Sequence, residues 1–156
     1  MKNREIFLLF ITSILVYSLV FDLSYINIFN IDWLYSNSEY QTAQIAFEFY
    51  KNDLWRWPIT SNPNYGTDIN NTILLSDSVP FLNILFKVFS HFISSNFQFY
   101  GSWILLCLFL QCFFSYKIIF HYTKNFKYSY ISSTFFILLP ILLDRIYFHL
   151  SLIAHW

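Results

Sequence analysis

Charged side chains are scarce in this chain of 156 residues, since Asp, Glu, Lys and Arg together make up 12% of it. An average soluble domain is about 25% charged, so a water-soluble fold would lack the polar groups needed to cover its surface. Glycine is also rare, with two residues, while the aromatic share is 24%; this balance excludes disorder, which needs few aromatics. The formal net charge is zero, so nothing suggests nucleic acid as a partner.

Cysteine is limited to Cys107 and Cys112, which lie in one apolar run. They do not form a Cys-x-x-Cys pair, so we interpret them as packing or lipid-facing side chains. Hydrophobic residues, by contrast, account for 56% of the chain and are gathered into long runs. These runs predict an all-α membrane protein, in which lipid is the first partner.

The first long apolar run extends from Ile6 to Phe21 and follows Lys2 and Arg4. At 1.5 Å per residue it covers about 24 Å, less than a hydrocarbon core of about 30 Å, so we expect the first membrane helix to span residues 6–25. A cleaved signal peptide is the alternative, but bulky side chains occupy the positions where a small-x-small cleavage site would lie. The positive-inside rule keeps the N-terminus cytoplasmic.

Residues 26–79 are polar and are expected to form an external loop. The acidic residues here and just before it are Asp22, Asp32, Glu39, Glu48, Asp53, Asp68 and Asp77. Ser38-Glu39-Tyr40-Gln41 has the form of a capping box with Ser38 as N-cap, and apolar residues follow at helical spacing, which predicts an amphipathic helix. This helix should end before Trp55-Arg56-Trp57-Pro58, whose rings suit the membrane–water boundary.

The segment 80–95 is apolar but short, and it carries Asn83, Lys87 and His91 at four-residue intervals. This spacing places all three on one helical face. A helix that spans lipid would rarely tolerate such a stripe, whereas an interfacial or re-entrant helix would favour it. We therefore expect 80–95 not to span, with Lys87 and His91 in contact with lipid headgroups or, alternatively, with a lipid-linked donor.

Two further membrane helices are expected at residues 97–121 and 128–143. Because 80–95 does not span in this interpretation, the helix 97–121 runs inward and brings Lys117, Lys124 and Lys127 to the cytoplasm, as the positive-inside rule requires. The helix 128–143 then returns outward, and residues 144–156 begin a further external loop or the next helix. The prediction is a multi-pass protein with three spans.

Several motifs occur in an order that resembles a known family. They are Trp55-Arg56-Trp57-Pro58, Asn62-Pro63-Asn64-Tyr65-Gly66, Ser76-Asp77-Ser78-Val79-Pro80 with Lys87, Gln98-Phe99-Tyr100-Gly101-Ser102-Trp103, Asp144-Arg145, His149 and Ala154-His155-Trp156. Together they resemble the N-terminal part of a family of large, uncharacterised bacterial inner-membrane proteins that is similar to the GT-C glycosyltransferases. The resemblance implies a multi-helix membrane fold whose extracytoplasmic site takes a sugar linked to polyprenyl phosphate.

The chain is much shorter than that family and ends within a hydrophobic run, so we expect a truncated GT-C-like fold, the N-terminal fragment of such a transferase. The alternative is a non-catalytic truncated or accessory membrane protein that associates with a protein partner or an oligomer, since three spans bury little protein surface. A transporter or channel ranks last because the runs Ile6–Phe21 and Tyr100–Tyr116 contain no Asp, Glu, Lys, Arg or His at midmembrane depth.

Two carboxylates are the candidate catalytic residues. The resemblance places Glu39 near the acceptor, although the family usually has Asp there and often a His where this chain has Ala43. A carboxylate helps a hydroxyl to attack an anomeric carbon by removing its proton, or it holds a divalent cation through oxygen ligands; the alternative is a favourable charge at a helix N-terminus. Asp77 is either a second carboxylate or metal ligand, or the cap of a helix that begins at Pro80.

The predicted phosphate-binding residues are Arg145, His149 and His155, with Lys87 as a further contact. Arg145 and His149 are one helical turn apart and can face one side, whereas His155 lies off that face unless the backbone breaks between them. An arginine fork donates two hydrogen bonds to paired phosphate oxygens and can stabilise the charge that develops on a phosphate leaving group. The alternative is anchoring of these side chains at the membrane interface.

Overall fold

The computed structural model describes residues 3–66, 71–76 and 78–154 of the chain, and the regular structure in these residues is helical. The α-helices are α1 (Asn3–Val20), α2 (Ser38–Asn52), α3 (Pro80–Val88), α4 (Tyr100–Thr123), α5 (Phe126–Ile137) and α6 (Pro140–Phe148). Short 3-10 turns lie at Leu23–Ile26, Asp32–Ser36, Ile73–Leu75, Ser90–Phe92 and Leu150–Ile153.

Two compact units make up the chain. The first, called here the three-helix unit, contains Met1–Ile28, Phe99–Tyr147 and Leu152–Trp156. The second, called here the loop unit, contains Phe29–Gln98 and Phe148–Ser151.

Three helical stretches are long and apolar enough to cross a membrane: Asn3–Val20, Tyr100–Thr123 and Phe126–Phe148. The prediction of an all-α protein with three candidate spans is therefore confirmed. Only 22–33% of the residues in these stretches are buried within the protein. The rest of their surface suits lipid or further helices.

The first helix ends at Val20, five residues before the expected boundary at residue 25. The carboxylate of Asp22 accepts a hydrogen bond from the backbone N–H of Ser24 at 2.7 Å and begins the 3-10 turn Leu23–Ile26. Short polar side chains that bond nearby backbone groups in this way compete with helix formation. The same interaction lowers the pKa of Asp22, mainly through the backbone hydrogen bond from Ser24.

A tight reversal joins α4 and α5. Lys124 ends α4 in the left-handed conformation with φ of 52°, and Asn125 then caps α5 by accepting from the N–H groups of Lys127 and Tyr128 at 3.0 and 3.3 Å. A left-handed residue after a helix and an Asn at the next N-cap are the usual devices for such a turn.

The third apolar stretch is broken into α5 and α6 at Leu138 and Leu139. Pro140 causes the break, because proline lacks an N–H and disfavours the helical conformation of the residue before it. The stretch is also longer than the expected 128–143, since α6 continues to Phe148 and includes Asp144 and Arg145. Asp144 and Arg145 therefore lie within α6 and within the third apolar stretch.

One end of the three-helix unit gathers the end of α1, the start of α4 and the end of α6. A Cβ atom on Gly101 would lie 1.9 Å from the carbonyl oxygen of Tyr25, so only glycine permits this approach. The Tyr147 hydroxyl donates to the carbonyl of Val20 at 3.4 Å, and its ring lies 5.5 Å from that of Phe21.

Hydroxyl and thiol groups, three of the four on small side chains, connect the helices of this unit. The hydroxyls of Thr12 and Tyr130 are 2.6 Å apart, and the buried Cys112 thiol lies 3.8 Å from the hydroxyl of Ser133. Interfaces between membrane helices commonly use such small residues. Cys107 is buried as well, so of the two interpretations of the cysteines, packing applies.

The loop unit is organised around α2, the expected amphipathic helix. Its apolar face buries Ala46 and Tyr50 against Ile73 of the third 3-10 turn, with Tyr65 and Ile84 packed around them. Ile84 belongs to α3, so this small core joins α2, α3 and the segment between them that carries Tyr65 and Ile73.

Candidate functional site

Glu39 is exposed in the first turn of α2. The predicted capping box is wrong, because Asn37 and not Ser38 is the N-cap: its side chain accepts from the backbone N–H of Glu39 at 2.8 Å. Asn and Ser are comparable caps, and here the residue one position earlier takes the role. The backbone of Glu39 is thus fixed by its neighbour, while its carboxylate faces solvent.

Asp77 and His155 lie outside the described residues, so their predicted roles stay predictions. The helix that Asp77 was expected to cap does begin at Pro80, with Val79 at the N-cap and no side-chain cap hydrogen bond there. Pro80 at the first position fits the usual preference for proline, whose missing N–H would be unpaired anyway.

Lys87 is buried, with 2% of its surface exposed, so the expectation that it contacts lipid headgroups or a lipid-linked donor is wrong. Its Nζ atom lies over the rings of Tyr50 and Trp55, 4.0 and 4.9 Å from their centres, and donates to the carbonyl of Leu54 at 3.4 Å. Burial lowers the pKa of Lys87, while the charge of Asp53 opposes this shift. The ammonium group is held by protein aromatic faces.

Two of the three residues in the polar stripe of 80–95, Asn83 and Lys87, face the protein interior instead of a membrane surface. Asn83 is fully buried and donates to the Ser78 hydroxyl at 2.7 Å. His91 is exposed and lies outside α3, which ends at Val88, so the predicted continuous stripe is broken. The outward side carries exposed Phe81, Leu85, Val88 and Phe92. Lipid contact by this segment would therefore be made by apolar residues.

Arg145 and His149 are separated by the end of α6. Arg145 is half-buried in the last turn of that helix, in the three-helix unit. His149 is exposed, follows the helix end at Phe148 and belongs to the loop unit. The helical spacing that suggested a common face stops before His149, so their joint contact with a phosphate stays a prediction.

A cavity of about 380 Å³ in the loop unit was missed by the sequence reasoning. It is lined by Glu48, Phe49, Asn52, Asp53 and Asn64. The first four come from the C-terminal part of α2 and the residue after it, and their spacing could have been noticed. Asn64 comes from a turn whose position no local pattern predicts.

The turn that carries Asn64 is tied to α2 by one buried hydrogen bond and to residues 71–72 by backbone contacts. The Asn62 side chain is fully buried and donates to the carbonyl of Ala46 at 2.9 Å. The backbone N–H of Asn62 donates to Asn71 at 2.8 Å, and Ser61 forms an antiparallel bridge with Thr72. These contacts hold the turn from which Asn64 lines the cavity.

Each carboxylate of the cavity is paired with a cation. Glu48 lies 2.9 Å from the ammonium of Lys51, and Asp53 lies 3.3 Å from the guanidinium of Arg56. The Asp53 side chain is 4% exposed. Its Oδ1 atom accepts from the N–H of Leu54 at 2.8 Å, whereas its buried Oδ2 atom has no hydrogen-bond partner in the described part of the chain.

Residues 3–66, 71–76 and 78–154 contain no group of three or more His, Cys, Asp or Glu side chains arranged to hold a metal ion. A divalent cation held by Glu39 or by Asp77 stays a prediction.

A family model described as a domain of unknown function, DUF6311, matches residues 10–156. No curated protein and no solved structure matches the chain.

Proposed function

Since the chain belongs to the DUF6311 family, a domain of unknown function, we propose a function from the chemistry of its own residues. We propose that it is part of a membrane glycosyltransferase similar to the GT-C enzymes. In this proposal it works at the extracytoplasmic face of a bacterial inner membrane and uses a sugar linked to polyprenyl phosphate. An acceptor hydroxyl attacks the anomeric carbon, the bond from that carbon to the phosphate oxygen breaks, and polyprenyl phosphate leaves.

The observation that carries the proposal is the exposed Glu39 carboxylate at the start of α2, the first α-helix after the first candidate span. The Asn37 cap fixes the backbone beneath it, and a carboxylate in a first helical turn interacts favourably with the helix dipole. In the proposed reaction Glu39 accepts the proton of the acceptor hydroxyl or holds a divalent cation through its oxygens.

Arg145 is proposed to bind the phosphate of the donor. It lies two residues before Tyr147, whose contact with Val20 brings the end of α6 to the end of α1. The chain continues from the end of α1 towards the acidic loop, and in this proposal both segments face one aqueous side. The guanidinium fork suits the charge that develops on the leaving phosphate; His149 is proposed as a further donor, and Lys87 is not, because it is buried.

Sugar transfer by the reconstituted protein tests this proposal. The assay uses proteoliposomes and a radiolabelled polyprenyl-phosphate sugar, with Glu39→Gln and Arg145→Ala as variants. Loss of a positioned general base should lower turnover by about 10²- to 10⁴-fold. Asp32→Asn is the matched control, because Asp32 is also an exposed acid near the start of a helical turn in the loop unit. Full transfer by both variants would refute the assigned roles.

The second candidate is a non-catalytic accessory membrane protein, and a groove on α5 favours it. Tyr130, Ile131, Thr134, Phe135 and Leu138 line this apolar cavity of about 310 Å³. It has the size and the lining that accept side chains of a neighbouring helix. A photo-crosslinker at Ile131 should then give one discrete protein adduct in membranes, while the same group at the exposed Leu15 of α1 should not. Equal labelling of lipid alone at both positions would reject a partner at this groove.

A further inference from the structure

We infer that the cavity lined by Glu48, Phe49, Asn52, Asp53 and Asn64 is a binding site for one neutral sugar ring. The inference concerns binding alone and does not require that the chain transfers sugars. It extends the proposed function by assigning a sugar contact to a part of the loop unit that does not include Glu39.

The volume of the cavity and its aromatic side chain suit a single sugar ring. Its volume of about 380 Å³ is at the small end of ligand sites, which span about 300–1,000 Å³. Phe49 lines the cavity and is 45% exposed, and the centre of its ring lies 6.0 Å from that of the Tyr65 ring. The face of an aromatic ring carries partial negative charge, which attracts the polarised C–H groups on the flat side of a sugar.

The polar residues that line the cavity favour a ligand with several hydroxyl groups that can donate hydrogen bonds. Ionised carboxylates can only accept hydrogen bonds, and the buried Oδ2 atom of Asp53 has no donor in the described part of the chain. A buried acceptor normally has a partner, so ligand binding that turns this carboxylate towards the cavity that Asp53 lines would supply the missing donor. Asn52 and Asn64 add amide groups that both donate and accept, as sugar hydroxyls require.

The charges of the cavity favour a neutral ligand over a cation. Glu48 is neutralised by Lys51 at 2.9 Å and Asp53 by Arg56 at 3.3 Å. Two carboxylates that already hold cations leave little negative charge to attract a divalent ion. A neutral polyol keeps both ion pairs and uses the remaining lone pairs of the carboxylates.

Saturation-transfer NMR on the full chain tests the inference, in a detergent without a sugar headgroup. The probes are glucose, galactose, mannose and N-acetylglucosamine, each titrated into the millimolar range. At least one should bind, and Phe49→Ala and Asp53→Asn should each weaken it about tenfold, the effect of 1.4 kcal/mol. Phe81→Ala should bind like the wild type, because Phe81 is an exposed phenylalanine of the same unit outside the cavity.

Three results would overturn the inference. One is that none of the four sugars binds. Another is that both variants bind as tightly as the wild type while their circular dichroism shows an intact fold. The third is that calcium chloride, without sugar, binds in a manner lost in Asp53→Asn, which would make the cavity a cation site. Because no transfer is measured, failure here leaves the roles of Glu39 and Arg145 untouched, and their failure leaves this site untouched.

Discussion

The ammonium group of Lys87 lies 4.0 Å from the centre of the Tyr50 ring, inside the loop unit. Burial of a charge is costly unless it is compensated, and here a second ring, Trp55, and the carbonyl of Leu54 share the compensation. A cation–π contact contributes about 0.5–2 kcal/mol. The lysine therefore sits in a place that an uncharged side chain of similar length could also fill.

Lys87→Met should maintain or raise the stability of the loop unit. Methionine retains the length of the side chain and its contacts with the two rings, and it removes the cost of burying a charge. Lys87→Glu should destabilise by several kcal/mol, because a buried anion would face aromatic ring faces and the charge of Asp53. Thermal unfolding followed by circular dichroism in detergent measures both. Lys124→Met, at an exposed position, is the control and should unfold at the same temperature as the wild type. A Lys87→Met variant that unfolds at a much lower temperature than the wild type would contradict the prediction.

The stability difference between the wild type and Lys87→Met should depend on pH. Burial lowers the pKa of Lys87 from its ordinary value of 10.5 in the folded state, so the unfolded chain binds more protons between the two values and stability rises with pH there. The free energy of unfolding of the wild type should therefore rise relative to that of Lys87→Met as the pH increases from the lowered pKa towards 10.5. Burial raises the pKa of Tyr50, but Tyr50 is present in both proteins. A stability difference between the two proteins that does not change with pH would show that the pKa of Lys87 is the same in the folded and unfolded states.

The sequence predicted those features that depend on local pattern. Apolar runs predicted the three candidate spans, and periodicity showed that Asn83 and Lys87 share a helical face. Which way that face points could not be read from the pattern, because in a membrane protein either the apolar or the polar side can face outward. The inward orientation follows from contacts with Tyr50 and Ser78, which lie on other parts of the loop unit.

Long-range contacts also explain why the cavity could not be predicted. Phe49 lies in the last turn of α2 and Asp53 follows the end of that helix, a spacing of four residues that is visible in the sequence. Asn64 reaches the same cavity only because Asn62 is hydrogen-bonded to the carbonyl of Ala46. The choice of Asn37 over Ser38 as N-cap was undecidable for a different reason, since both residue types cap helices equally well.

Gly101→Ala should destabilise the three-helix unit. The added Cβ atom would approach the Tyr25 carbonyl oxygen to 1.9 Å, and this neighbour is backbone, which cannot rotate away. Overpacking of this kind costs about 1–3 kcal/mol. The midpoint of thermal unfolding in detergent measures the loss, with Ser102→Ala at the neighbouring exposed position as control. An alanine variant as stable as the wild type would mean that α4 and the turn after α1 do not approach so closely.

The hydroxyl contact between Thr12 and Tyr130 should couple α1 to α5. Tyr130→Phe removes the hydroxyl and retains the ring that stacks on Phe126 at 5.8 Å, so the change is clean. In a double-mutant cycle with Thr12→Val, the coupling energy should be about 0.6 kcal/mol, the average for hydrogen bonds between membrane helices. Tyr122→Phe, at an exposed position, is the control. Strict additivity of the two changes would show that the hydroxyls do not interact.

Cysteine labelling in intact bacterial cells should find Lys124→Cys protected and Ser95→Cys reactive towards an impermeant thiol reagent. Arg4 and Phe126 line one cavity, so the start of α1 and the basic reversal before α5 lie at the same end of the three-helix unit. The positive-inside rule assigns that end to the cytoplasm. The native cysteines are buried and should give little background, which the unsubstituted chain checks. In permeabilised cells the same reagent should label the Lys124→Cys variant fully. Rapid labelling of Lys124→Cys in sealed cells, with Ser95→Cys protected, would invert the orientation and remove Glu39 from the extracytoplasmic side.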